Sequence, residues 1–151
     1  MTEGIRVSNH MCDSKIPEKC YPPFLGGPCM NPAILVATGG ALGALGRWAI
    51  GSLSTGAAFP WATLGVNLIG SLLLGVLAAA FSSGSISKDA VLLLGVGFMG
   101  AFTTMSAYSF EAVEMGESGA FGALAAYVVV TALGCPLLAL LGWRGMSLLM
   151  S

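Results

Sequence analysis

Polar residues that interrupt long apolar runs are where this chain could do chemistry. The densest group is GVGFMGAFTTMSAYSFE, Gly95 to Glu111, in which glycines, two adjacent threonines, serines and aromatic rings interrupt an otherwise apolar run. Glycine lowers helical stability and threonine can bond its own backbone, so a local helix break is expected within Gly100–Tyr108. At membrane depth such backbone is tolerated only where protein buries it or water reaches it. Carbonyls freed there would make a cation site.

Three other positions carry polar chemistry. Asn67 stands in PWATLGVNLIGSLLLG, where an unpaired amide would be costly. Helical spacing puts Gly70, Ser71 and Leu74 on its face. Such an amide can glue helices together, or its N–H groups can solvate an anion that has shed water; both readings stay open. Arg47 ends GGALGALGR, and a guanidinium there must snorkel, pair or line water. Its functional reading is a positive group in an anion vestibule. Tyr127, Thr131 and Cys135 recur at four-residue spacing, a bundle-facing seam or a hydroxyl-lined groove, with Pro136 expected to release the carbonyl of Ala132. Gly39 and Gly43 read as packing, a small-xxx-small pair. Glu111, Glu114 and Glu117 look like a solvated helix end, with Glu111 able to face the same vestibule as Arg47. No nucleophile–base pair is visible, so an enzyme is not expected.

The elements that must hold these groups follow from composition. Of 151 residues, 56% are hydrophobic and 9% charged, too few charges to cover a soluble fold of this size. The bilayer is the expected solvent. Four apolar stretches approach the length of about 20 residues that a spanning helix needs. They run from about Ala33 to Leu53, Pro60 to Phe81, Asp89 to about Val113, and about Ala120 to Trp143. Trp48, Trp61 and Trp143 fall near their ends, where an indole favours the interface. The fold expected is all-α, four transmembrane helices with a break in the third. A net charge of −1 and the lack of a basic cluster argue against nucleic acid as a partner.

Residues 1–32 read as a flexible tail ahead of a transmembrane domain over 33–151. The tail holds Arg6, Lys15 and Lys19, five prolines and no apolar periodicity. Its Cys12, Cys20, Cys29 and His10 match no zinc spacing, and no stretch resembles a signal peptide. Arg6, Lys15, Lys19, Lys88 and Arg144 share the side of the termini, favouring termini in the cytoplasm. Without the tail only Lys88 and Arg144 oppose Arg47, and such a core could insert either way.

Taken in order, GGALGALGRW, TLGVNLIGSLLLG, GFMGAFTTMSAYSFE and the tyrosine of the fourth span resemble the fluoride channels of the Fluc (CrcB) family, from Gly39 to about Trp143. The resemblance implies a passive fluoride-selective channel in the plasma membrane that exports fluoride from the cytoplasm. It implies an antiparallel, dual-topology homodimer with two pathways along its interface. It also implies a central sodium ion held by main-chain oxygens, at positions corresponding to Gly100 and Thr103. Pathway positions correspond to Asn67, Met105, Ser106, Tyr108, Tyr127 and Thr131, with Arg47 in the vestibule. One departure stands out: the family's two phenylalanines of the third span are replaced by Met105 and Tyr108. A ring has a positive edge that a thioether lacks. Such a change would suit one subunit of a heterodimer with a diverged paralogue. The nearest rival is a small proton-coupled multidrug exporter. It would need a titrating membrane carboxylate, and the first, second and fourth spans contain none. A membrane protein that only assembles with partners is a further rival.

Overall fold

The computed structural model describes residues 31–54 and 58–150, and all regular structure within them is helical. Helix α1, Pro32–Leu53, opens with proline at its first position behind Asn31, whose Oδ1 accepts from the Ala33 amide at 2.9 Å. Proline lacks only an N–H that the first turn leaves unpaired anyway, and asparagine supplies the cap. Helix α2 is Trp61–Ser82. The third span starts behind Ser87 with Lys88–Ala90, widens into a π-type turn over Val91–Met99 and returns to α geometry at Gly100–Phe102; together these form α3, residues 88–102. After two extended residues the same span resumes as α4, Met105–Glu117. Helix α5, Phe121–Leu149, runs through Pro136 without interruption.

Four of these runs are long and apolar enough to cross a membrane: Pro32–Leu53, Trp61–Ser82, Lys88–Glu117 and Phe121–Leu149. Apart from the wide turn over Val91–Met99, the differences from the sequence expectation lie at the ends. The first helix begins at Pro32, one residue inside the segment expected to be tail. The last helix continues past Trp143 to Leu149, through Gly145. The remaining expected tail, residues 1–30, lies outside the described residues, and with it Cys12, Cys20, Cys29 and His10.

Two turns are set by glycine. Gly84 and Gly119 adopt φ of 74° and 75°, left-handed values that a side chain resists. Each closes its helix with two backbone bonds: Ser85 to Ala80 and Gly84 to Phe81 after α2, Ala120 to Met115 and Gly119 to Gly116 after α4.

The helices pack as two pairs, α1 with α3 and α2 with α5. Glycine makes both interfaces. A Cβ on Gly39 would run into the Leu93 carbonyl, one on Gly43 into that of Phe98, and one on Gly97 into that of Val36. Between α2 and α5, a Cβ on Gly75 would strike the Ala139 carbonyl and one on Gly142 that of Leu72. Without a hydrophobic force between helices in lipid, such backbone approach is what associates them. The expectation that Gly39 and Gly43 serve packing holds. The outward faces stay apolar, with Leu42, Leu45, Val129, Leu133 and Leu137 all more than half exposed.

Candidate functional site

The third span breaks at Thr103 and Thr104, within the Gly100–Tyr108 stretch where a break was expected. Their ψ angles of 152° and 121° take the backbone out of the helix. Gly100, by contrast, is still helical, with φ −61° and ψ −34°. The cause is local and tertiary together. Thr103 turns its hydroxyl back onto the Met99 carbonyl, 2.9 Å away. Thr104 uses its own Oγ1 to accept the Ala107 amide at 3.2 Å, so it caps α4. Glycine and threonine were the sequence signal, and the threonines carry the break.

Two side chains from other helices complete it. Asn67, on α2, donates Nδ2 to the Thr104 carbonyl at 3.0 Å and accepts the Thr104 amide on Oδ1 at 2.8 Å. Its amide thus pairs with the N–H and the C=O of one residue. Arg47, on α1, donates Nε to the Ala101 carbonyl at 3.1 Å. That carbonyl would bond Met105 in a continuous helix, so Arg47 answers a group that the break has orphaned. Arg47 therefore does not simply snorkel, and it meets no carboxylate among the described residues. It lines a cavity of about 360 Å³ with Ser52, Thr63, Thr104 and Ala107.

The same accounting covers Gly100 and Thr103. In an unbroken helix the Gly100 carbonyl would take the Thr104 amide, which instead goes to Asn67. The Thr103 carbonyl would take the Ala107 amide, which instead goes to Thr104 Oγ1. Both carbonyls are released from the helical ladder, and Gly100 lies on the exposed surface of the chain. Oxygen ligands of this kind fit a hard cation such as sodium.

Beside the break runs a second polar group. Tyr127 of α5 is fully buried and donates its hydroxyl to Glu111 Oε2 at 2.6 Å. Thr63 of α2 donates to the other oxygen, Oε1, also at 2.6 Å. Tyr127 lies against Tyr108, with ring centroids 5.0 Å apart, and meets Phe59 edge-on at 5.5 Å. Leu64 and Met115 close the cluster. Glu111 and Thr63 were not among the expected site residues. Three glutamates at intervals of three resembled a solvated end, yet Glu111 turns inward and Glu114 remains exposed. Glu111 lines a cavity of about 450 Å³ with Glu114 and Ser118, which adjoins the Arg47 cavity through Gly51, Ala62 and Thr63.

The expected pathway residues fall into two sets. Asn67, Tyr127 and Thr131 are buried, with Tyr108 half-buried beside Tyr127. The Thr131 hydroxyl has no hydrogen-bond partner among the described residues, a costly state for a buried donor. Met105, 71% exposed, and Ser106 lie on the outside of the single chain. The Ser106 hydroxyl sits 3.1 Å from that of Thr104 at the start of α4. Cys135 is half-buried on the Tyr127 face and is a free thiol.

Against known proteins, residues 34–143 match the family described as CrcB-like protein, Camphor Resistance (CrcB). A fluoride-specific ion channel FluC of Thermus thermophilus is 42% identical over 118 residues, 76% of this chain and 94% of the relative. The protein of the same description from Novosphingobium aromaticivorans is 41% identical over 103 residues, covering 65% and 82%. That of Erythrobacter litoralis is 43% identical over 113 residues, covering 69% and 83%.

Proposed function

This chain belongs to the CrcB family, and from that premise we propose that it is a passive fluoride-selective channel exporting fluoride from the cytoplasm across the plasma membrane. The observation that carries the reading is the interrupted third span, held open at Thr103–Thr104 by Asn67 and Arg47 from two other helices. A chain that only needed to span lipid would not break a helix there, since each freed backbone group must find a new partner.

Fluoride is small and strongly hydrated, so a selective pore must replace its water with closely spaced donors and refuse larger anions. Candidate donors are the second Nδ2 hydrogen of Asn67, the hydroxyls of Ser106 and Thr131, and the ring edges of Tyr108 and Tyr127. Thr131 supports this assignment because its buried hydroxyl lacks a partner among the described residues. Arg47 sits at a vestibule and raises the local concentration of anions. A continuous route past Asn67, Tyr108, Tyr127 and Thr131 also needs a wall where Met105 and Ser106 are exposed. Four helices leave that side open. A second copy, antiparallel in a dual-topology homodimer, would close it and bring the two breaks together.

The freed carbonyls of Gly100 and Thr103 would hold a sodium ion at the centre of that dimer. When bound, the ion supplies a positive charge that offsets the cost of bringing an anion into low dielectric. Its relatives are described as fluoride-specific ion channels, which supports a channel and not an enzyme. The test is growth of fluoride-sensitive cells lacking their own exporter. Expression of this chain should restore growth in fluoride, and continued sensitivity despite membrane insertion would count against the homomeric reading. Rescue only with a co-expressed paralogue would instead identify a heterodimer subunit, which the replacement of two phenylalanines by Met105 and Tyr108 would suit.

A further inference from the structure

We propose that Asn67 is a positioning residue: it acts through the Thr104 backbone to set the geometry of the carbonyls at the α3–α4 break, so that cation binding there depends on it. The inference rests on the reading of Gly100 and Thr103 as a sodium site. Its basis is geometric. An asparagine amide has one acceptor and two donor hydrogens, and here the acceptor and one donor are committed to the same residue's backbone. A side chain kept only to solvate an anion would leave its amide free to turn towards the pore. This one is fixed at both ends by backbone.

The surroundings reinforce the fixation. Asn67 is 7% exposed, and its own carbonyl accepts the Ser71 hydroxyl at 2.7 Å. One turn along α2, Gly70 leaves the space that the Thr103 methyl occupies; a Cβ there would overlap that methyl. Residues 67 and 70 of one helix thus hold Thr104 by hydrogen bonds and seat Thr103 by shape. Diverting the Thr104 amide to Asn67 is also what releases the Gly100 carbonyl. Without Asn67 that amide can return to the helical ladder and compete with a cation for the same oxygen. An amide ligand in the pore would have no such link to the cation.

The experiment measures thermal unfolding of the purified, full-length protein in detergent across a sodium titration, for the wild type, Asn67→Ser and Asn67→Asp. Wild type should be stabilised by sodium. Asn67→Ser should need about tenfold more sodium for half of the shift, the scale of one or two lost hydrogen bonds. Asn67→Asp keeps the acceptor for the Thr104 amide and should fall between; it carries the test if the serine variant cannot be recovered. Gly70→Ala, which leaves the amide intact, should also raise the sodium midpoint. If both Asn67 variants keep the wild-type sodium midpoint while losing fluoride flux, Asn67 acts on the anion alone and the proposal is overturned. If the wild type itself is indifferent to sodium, the cation reading falls, and this inference falls with it.

Discussion

Asn67, Glu111 and Tyr127 have side chains whose partners lie far away in sequence, and that distance governs what could be read from the chain alone. Asn67 was identifiable because an amide in an apolar run needs a partner; that the partner is the Thr104 backbone, 37 residues on, was not. Glu111 looked solvated because its two hydroxyl donors stand 48 and 16 residues away. Asn67→Ala should abolish fluoride efflux while leaving an assembled dimer, and undiminished efflux from such a dimer would remove Asn67 from the site. Tyr127→Phe removes one hydrogen bond to a carboxylate and should lower stability by about 1.5–3 kcal/mol. Thermal unfolding in detergent measures it, and an unchanged midpoint would mean that water replaces the hydroxyl.

The existence and order of the four spans followed from apolar length alone, because the bilayer imposes a length and forbids unpaired backbone. The interior of the third span was only partly legible. Gly and Thr marked a break, but its placement at Thr103–Thr104 depends on caps from Arg47 and Asn67, on other helices. The wide turn over Val91–Met99 left no sequence signal beyond Gly95 and Gly97. The glycine interfaces make a sharp prediction at this scale. Gly39→Val or Gly142→Val would force apart backbones already in contact and should cost about 1–3 kcal/mol, or prevent folding. Gly65→Ala has nothing within 4 Å of the added carbon and should be neutral. Thermal unfolding of the three variants checks this, and comparable losses at all three positions would refute backbone contact as the cause.

At the scale of the whole molecule, a single chain leaves a line of polar groups half-walled. Met105 and Ser106 face outward, while Tyr127 and Thr131 are enclosed. The antiparallel dimer proposed above would close that side, and the sparse charges permit it, since Lys88 and Arg144 are opposed by Arg47. With the native cysteines replaced, a single cysteine at Ser85 should react with impermeant reagents from both sides of the membrane. Labelling from one side only would mean that residues 1–30 or a paralogue fix the orientation.

The most direct measurement is fluoride efflux from liposomes that contain only this purified protein, with chloride as the control anion. Rapid release of fluoride without chloride is the expected result, and it would establish that Met105 and Tyr108 are compatible with conduction. No release from well-folded, dimeric protein would contradict a homomeric fluoride channel.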